Sequence, residues 1–213
     1  MRSVLDAVLL PKTFYKSMPV NKNTFLICIL INGVFTVGYP FLVDHFRELF
    51  VDQPLPIILL NVLLSVVLFL VVGTLDSVAF CRPIADLFKF ISSKTGGYKD
   101  PLLMIKTIKI YTLSALIVNP IYIFVSRVIF YDLDITSSDM TVTLYLFAVW
   151  LMQIWAFGIM SRGLSSVLRH KRLLRTIVFI VVGIWSMVWA IVFRSVFLDV
   201  LLRLYQFVPG SVL

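Results

Sequence analysis

Asp76 lies well inside a long apolar run, roughly one turn from its end, and a carboxylate at membrane depth is costly enough to need a stated role. Two roles are open to it. It can form a structural ion pair with Arg82 or Lys109, or it can hold a proton or an ion on a path through the membrane. Three amides, Asn32, Asn119 and Gln153, sit inside three other apolar runs. At about 1.5 Å per helical residue all three fall roughly 11–18 Å deep, although their helices run in alternating directions. An amide facing lipid leaves its donors and acceptors unpaired, so each should turn into the bundle as one polar layer. Such a layer serves either as glue between helices or as the wall of a small cavity for a solute or lipid headgroup. Pro120, directly after Asn119, removes a backbone donor in mid-run and predicts a kink beside that layer. Trp150 and Trp155, with Trp185 and Trp189, lie deep in the last two runs and are expected to serve packing between those two helices, with a ligand cage as the alternative.

Catalytic patterns are missing around these residues. No His-Glu-x-x-His and no Gly-x-Ser-x-Gly is present, and Gly96-Gly97 is followed by no Gly-Lys-Ser/Thr that would open a phosphate-binding helix. Asp132, Asp134 and Asp139 form an anionic link without a second acidic cluster, and His45 and His170 map to opposite membrane sides. Cys28 and Cys81 read as buried thiols, not as a disulfide or a metal site. The expectation is a non-enzymatic protein with no catalytic residues, no metal and no cofactor.

The elements that position these residues follow from composition. The chain has 213 residues, 60% hydrophobic and 14% charged, which removes water as its main solvent. Five apolar segments, over residues 24–43, 55–80, 108–130, 141–164 and 174–193, are long enough to cross a hydrocarbon core about 30 Å thick. Their apolar residues are consecutive, with no polar residue at every second position, so they are helices and not barrel strands. The predicted fold is an all-α polytopic membrane protein, with a transmembrane domain over residues 24–213 behind an N-terminal segment over residues 1–23. In that segment Leu5, Val8 and Leu9, then Phe14 and Tyr15 among Lys12 and Lys16, suit a short helix lying in the membrane interface. A second interfacial helix is expected in the link after the second span, where Ile84, Leu87, Phe88 and Ile91 recur at helical spacing before a break at residues 92–97.

The net charge of +8 is distributed as topology requires. Fifteen of the 19 lysines and arginines fall in the N-terminal segment and in the second and fourth links. Acids dominate the first and third links. The N-terminus is therefore expected in the cytoplasm and the C-terminus outside. Arg127 and Arg194, at outer helix ends, read as snorkelling side chains. Lys94, Lys99, Lys106, Lys109, Arg169, Lys171, Arg172 and Arg175 form a cytoplasmic collar suited to anionic lipid, each contributing about 1 kcal/mol near such a surface. Nucleic acid is excluded as a partner, because the aromatics lie inside the apolar runs.

Several stretches resemble the YIP1 family of small polytopic membrane proteins in its short bacterial form. Leu9-Leu10-Pro11-Lys12-Thr13-Phe14-Tyr15 is similar to that family's Pro-Lys-x-x-Phe start ahead of the first span. Tyr98-Lys99-Asp100-Pro101, with the following apolar helix broken at Pro120, resembles its third-span region. Residues 150–158, then Leu164 and His170-Lys171-Arg172, resemble its fourth span and the link behind it. The resemblance implies five spans in a bacterial plasma (inner) membrane, and a role in organising membranes or binding lipids, a protein partner or further copies of itself. The alternative from the residues themselves is a small transporter or lipid-moving protein built on the kinked third span. The charge pattern makes a direct prediction. Single cysteines near Asp52 and Asp134 should react with an impermeant thiol reagent from outside the cell, and ones near Lys94 and Arg172 should not; outside labelling near Arg172 reverses the orientation.

Overall fold

The computed structural model describes residues 6, 8–17, 22–38, 47, 49–94, 101–131, 140–168 and 172–197. Every regular element among them is helical. A short helix α1 (Lys12–Lys16) precedes α2 (Lys22–Gly33), which runs on into a π-helical turn (Val34–Gly38). Then come α3 (Leu55–Lys94), α4 (Leu103–Phe124, with a π-helical turn Val125–Ile129), α5 (Met140–Val167) and α6 (Arg172–Val192, with a π-helical turn Phe193–Phe197).

Four helices, α3 to α6, are long and apolar enough to cross a membrane, and the chain is a multi-pass membrane protein on that ground. The sequence leads to five. The described apolar part of the first span covers only Thr24–Thr36, and residues 39–43 of the expected span lie outside the described residues.

The second span differs more clearly from its expectation. It does not stop at Phe80 to be followed by a separate helix: α3 continues through Pro83 to Lys94 as one helix of 40 residues, about 60 Å long. Its buried side chains explain the continuity. Val72, Asp76, Phe80, Ile84, Phe88 and Ser92 recur every fourth position and are all buried, so one stripe runs unbroken through both halves. Likewise, α4 stays helical through Pro120 and changes to π-helical pitch only at Val125.

Two glycines set the closest helix approach. A Cβ on Gly33 of α2 would fall 1.9 Å from the Phe69 carbonyl oxygen of α3, and one on Gly73 would fall 2.0 Å from the Ile29 carbonyl oxygen of α2. Only glycine at both positions lets the backbones touch, as small residues do in membrane helix pairs. Beside this contact Asn32 Nδ2 donates to Ser77 Oγ at 2.8 Å. The largest buried cluster gathers Phe80, Ile84 and Phe88 of α3, Ile108 and Ile110 of α4, Ile159 and Leu164 of α5, and Tyr15. Tyr15 is 1% exposed, and its hydroxyl donates to the Leu9 carbonyl at 2.9 Å, with the Ile159 carbonyl at 3.4 Å. Burial pushes its phenol above the ordinary tyrosine range. The N-terminal segment is therefore clamped to α5. Trp155 Nε1 donates to the Val8 carbonyl at 2.7 Å, Arg162 pairs with Asp6, and Gly158 and Gly163 leave room for Leu9 and Tyr15.

The glycine contact yields a graded test. Gly33→Ala or Gly73→Ala should destabilise the protein by about 1–3 kcal/mol, the range for overpacked cores, in denaturant unfolding from detergent micelles. Gly183→Ala, whose Cβ would meet Phe157 at an ordinary 3.5 Å, should change little. Equal stability of all three variants would contradict the close approach of α2 and α3.

Candidate functional site

The site is built around Asp76, buried on the central stripe of α3 and 1% exposed. Neutral side chains from three other helices surround its carboxylate, and two of them donate to it. Trp189 Nε1 of α6 donates to Oδ1 at 2.8 Å, and the Tyr111 hydroxyl of α4 donates to Oδ2 at 2.9 Å. Thr36 Oγ1, in the π-helical turn after α2, lies 3.3 Å from the same Oδ2 and donates to the Asn32 carbonyl at 2.6 Å. Tyr111 is held in place by stacking on Phe80, with ring centroids 4.4 Å apart. Trp189 stacks on Trp185 one turn earlier, and Trp185 Nε1 donates to the Phe80 carbonyl at 2.9 Å. Trp185 and Trp189 thus meet α3 at Phe80 and Asp76, which makes α6 antiparallel to α3.

The carboxylate borders a cavity of about 250 Å³ to which all five of the longer helices contribute, α2 through Thr36 in its π-helical extension. Asn119 of α4 and Gln153 of α5 line it together with Asp76. Ser114 and Ser186 add hydroxyls; Phe80, Phe157 and Phe193 add apolar wall. Asp76 forms the floor. Gln153 is exposed on the bundle surface as well as lining the cavity, so it stands at the mouth.

Of the residues singled out by sequence, Asp76, Asn119 and Gln153 come together on this cavity, one turn of α4 or less from Pro120 in the case of Asn119. Asn32 is buried but does not line the cavity; its amide nitrogen is bound to Ser77, and its Oδ1 has no partner among the described residues. Asp76 is joined to Trp189, Tyr111 and Thr36, whereas Arg82, expected as its partner, pairs with Asp86 at 3.8 Å on the helix surface. Arg82 follows Asp76 by six residues and falls between the buried positions Phe80 and Ile84, off the stripe that Asp76 occupies, which turns the two side chains to different faces of the helix. Of the tryptophans, Trp150 is exposed, while Trp155, Trp185 and Trp189 pack against the buried cluster; Trp155 also binds the N-terminal segment, and Trp185 and Trp189 bind α3.

In the basic collar, Lys94 and Arg175 are exposed, and Lys106 is half-buried. Lys109 is buried within α4 and leaves the surface set. Arg172 opens α6, and Lys99, Arg169 and Lys171 lie outside the described residues, as do Asp132, Asp134, Asp139, His45 and His170. Among the described residues no group of three or more His, Cys, Asp and Glu gathers to hold a metal ion. Cys28 and Cys81 are buried free thiols.

Sequence reasoning missed Thr36, Tyr111 and Trp189 as partners of the acid. A signal existed for two of them: Thr36 follows Asn32, and Trp189 follows Trp185, by four residues, the spacing that puts a polar-capable pair on one helix face. Comparison with family models, with curated proteins and with solved structures finds no match for this chain. Fold and site together define a helical multi-pass membrane protein with a mainly apolar cavity that carries a few polar groups and one carboxylate.

The shared carboxylate makes its donors energetically coupled. Trp189→Phe and Tyr111→Phe should each lower stability by about 1–3 kcal/mol, the scale of hydrogen bonds to charged groups. The double variant should depart from additivity by at least about 0.5 kcal/mol in denaturant unfolding, as expected for residues in one network. Strict additivity would mean that the two donors do not share Asp76.

Proposed function

We propose that the protein handles a small solute or a lipid headgroup within the membrane, with the cavity above Asp76 as its binding site, as a small transporter or lipid-moving protein does. The observation that carries this reading is the opening of a buried carboxylate onto a cavity that also collects the Asn119 and Gln153 amides. A bundle that needed Asp76 only for cohesion could close the space around it, since dense packing is the ordinary state of protein interiors. Here the walls stay apart over about 250 Å³, a volume for a small ligand. The mouth at Gln153 stands at the midpoint of α5, about 20 Å from either end of that helix. Alternating access by movement of helices around such a mid-depth site is the general logic of membrane transport.

A second reading, the organisation of anionic lipid or a partner protein through the basic collar, draws on the exposed Lys94 and Arg175 and on the resemblance to the YIP1 family. Native mass spectrometry with phosphatidylglycerol or cardiolipin against a zwitterionic lipid tests it, and equal retention of all three lipids removes it.

The cavity reading is tested by access. With Cys28 and Cys81 replaced by serine, Gln153→Cys and Ser186→Cys in proteoliposomes should react with a small water-soluble methanethiosulfonate at least about tenfold faster than lipid-facing Leu64→Cys, because only a cavity that carries polar groups admits water and the reagent at membrane depth. Reaction of neither site above the Leu64 control would overturn the reading.

A further inference from the structure

The chemistry of the cavity wall specifies its ligand more narrowly, on the premise that the cavity is a binding site. Each hydroxyl carries one proton and each indole one N–H. In this wall those protons are already committed. Ser186 Oγ donates to the Val182 carbonyl at 2.7 Å, and Ser114 Oγ donates to the Ala156 carbonyl at 3.3 Å. Thr36 donates to the Asn32 carbonyl, and Tyr111 and Trp189 donate to Asp76. With those protons committed, what these groups have left to offer a ligand is lone pairs and aromatic rings. Asp76 adds a carboxylate that accepts only, held by the donors Trp189 and Tyr111. The amides of Asn119 and Gln153 supply the remaining free donors, and each brings an acceptor oxygen as well.

An acceptor-rich, donor-poor cavity complements a ligand that brings its own donors and positive charge. An anion would face the Asp76 carboxylate and the lone pairs of three hydroxyls. A neutral apolar molecule would leave the Asn119 and Gln153 amides and the carboxylate without partners, at a cost that polar burial always carries. An ammonium group has three N–H donors and no acceptor. It can approach the floor at Asp76, donate to a serine or amide oxygen at the side, and meet the aromatic rings of Phe80, Tyr111 and Trp189, whose faces attract cations. We propose that the cavity binds a protonated primary amine, with its ammonium on Asp76, supplied either as a free alkylamine or as the headgroup of an aminophospholipid.

The test uses the full chain in nanodiscs of phosphatidylglycerol, a lipid without an amine, with empty discs as the blank, and measures binding of n-butylammonium by calorimetry, with thermal unfolding as a second readout. The expected result is saturable binding of butylammonium at least about tenfold tighter than that of 1-butanol, which lacks the charge, and of tetramethylammonium, which lacks N–H donors, in line with the strength of charge-assisted hydrogen bonds. Asp76→Asn, which keeps the side-chain shape, should weaken butylammonium by about ten- to a hundredfold. The ligand series on the unaltered protein stands whether or not that variant folds. In phosphatidylethanolamine nanodiscs, a raised melting temperature with no further shift from butylammonium identifies the headgroup as the source; an unchanged melting temperature and retained butylammonium binding identify a free amine. Equal binding of butylammonium and 1-butanol, equal or tighter binding of tetramethylammonium, stabilisation by Na⁺ with none by butylammonium, or no binding of the amine in either lipid would each overturn the proposal. If Gln153→Cys still reacts in those cases, the cavity remains a site and only its ligand class is wrong.

Discussion

A carboxylate removed from water has to be solvated by something, and in this bundle the task falls to side chains of the neighbouring helices. Asp76 accepts from Trp189 of α6 and Tyr111 of α4, and Thr36 at the end of α2 lies within reach. Removing one partner from such an arrangement leaves buried polarity uncompensated, a cost well above the net value of an ordinary hydrogen bond. Apolar contacts in a membrane distinguish poorly between one helix neighbour and another, since lipid is as apolar as leucine. The carboxylate is directional where they are not. It fixes which faces of α4 and α6 turn toward α3, and so fixes which residues border the cavity.

The glycine contact and the carboxylate are parts of one device. Gly73 and Asp76 are three residues apart on α3, and Gly33 and Thr36 are three residues apart on α2, so the same face carries both. Backbone contact at Gly33 and Gly73 brings the next turn of α2 within reach of Asp76, and it brings Asn32 within 2.8 Å of Ser77. A larger residue at either glycine would separate the helices at the height where these polar pairs form. The close approach thus governs the chemistry as well as the packing.

Much of the helical framework was legible in the sequence because hydrophobic run length is set by membrane thickness. The four long helices and the pairing of Asn119 with Gln153 follow from counting residues, but Asp76, expected one turn from the end of its span, lies in the body of a longer helix and joins them on one cavity. Hydropathy alone ends the second span too early: the charges from Arg82 onward end the apolar run, yet the buried stripe continues at every fourth residue to Ser92. Counting fixes height along a helix but not the direction a side chain takes around it. For that reason the count groups Asn32 with Asn119 and Gln153, whereas its side chain turns to Ser77 and does not line the cavity. Tyr111 and Trp189 were unreadable as acid partners for a related reason. An aromatic side chain in an apolar run looks like packing until the helix opposite is known, and its polar tip carries no signal of its own.

The five helices are not held equally. One part of α5 lines the cavity through Gln153, Ala156 and Phe157, while Gly158, Arg162 and Gly163 receive the N-terminal segment, so α5 is fastened on two sides. Among the four long helices α6 is the least buried, and its polar links to α3 are the indole bonds of Trp185 and Trp189. The first ends on a backbone carbonyl and the second on the cavity floor. Movement of α6 away from α3 therefore breaks a bond to Asp76 itself and leaves Oδ1 needing another donor. The carboxylate proposed to receive a ligand also anchors the most weakly buried wall, so occupancy of the floor and the position of α6 would be coupled through Asp76.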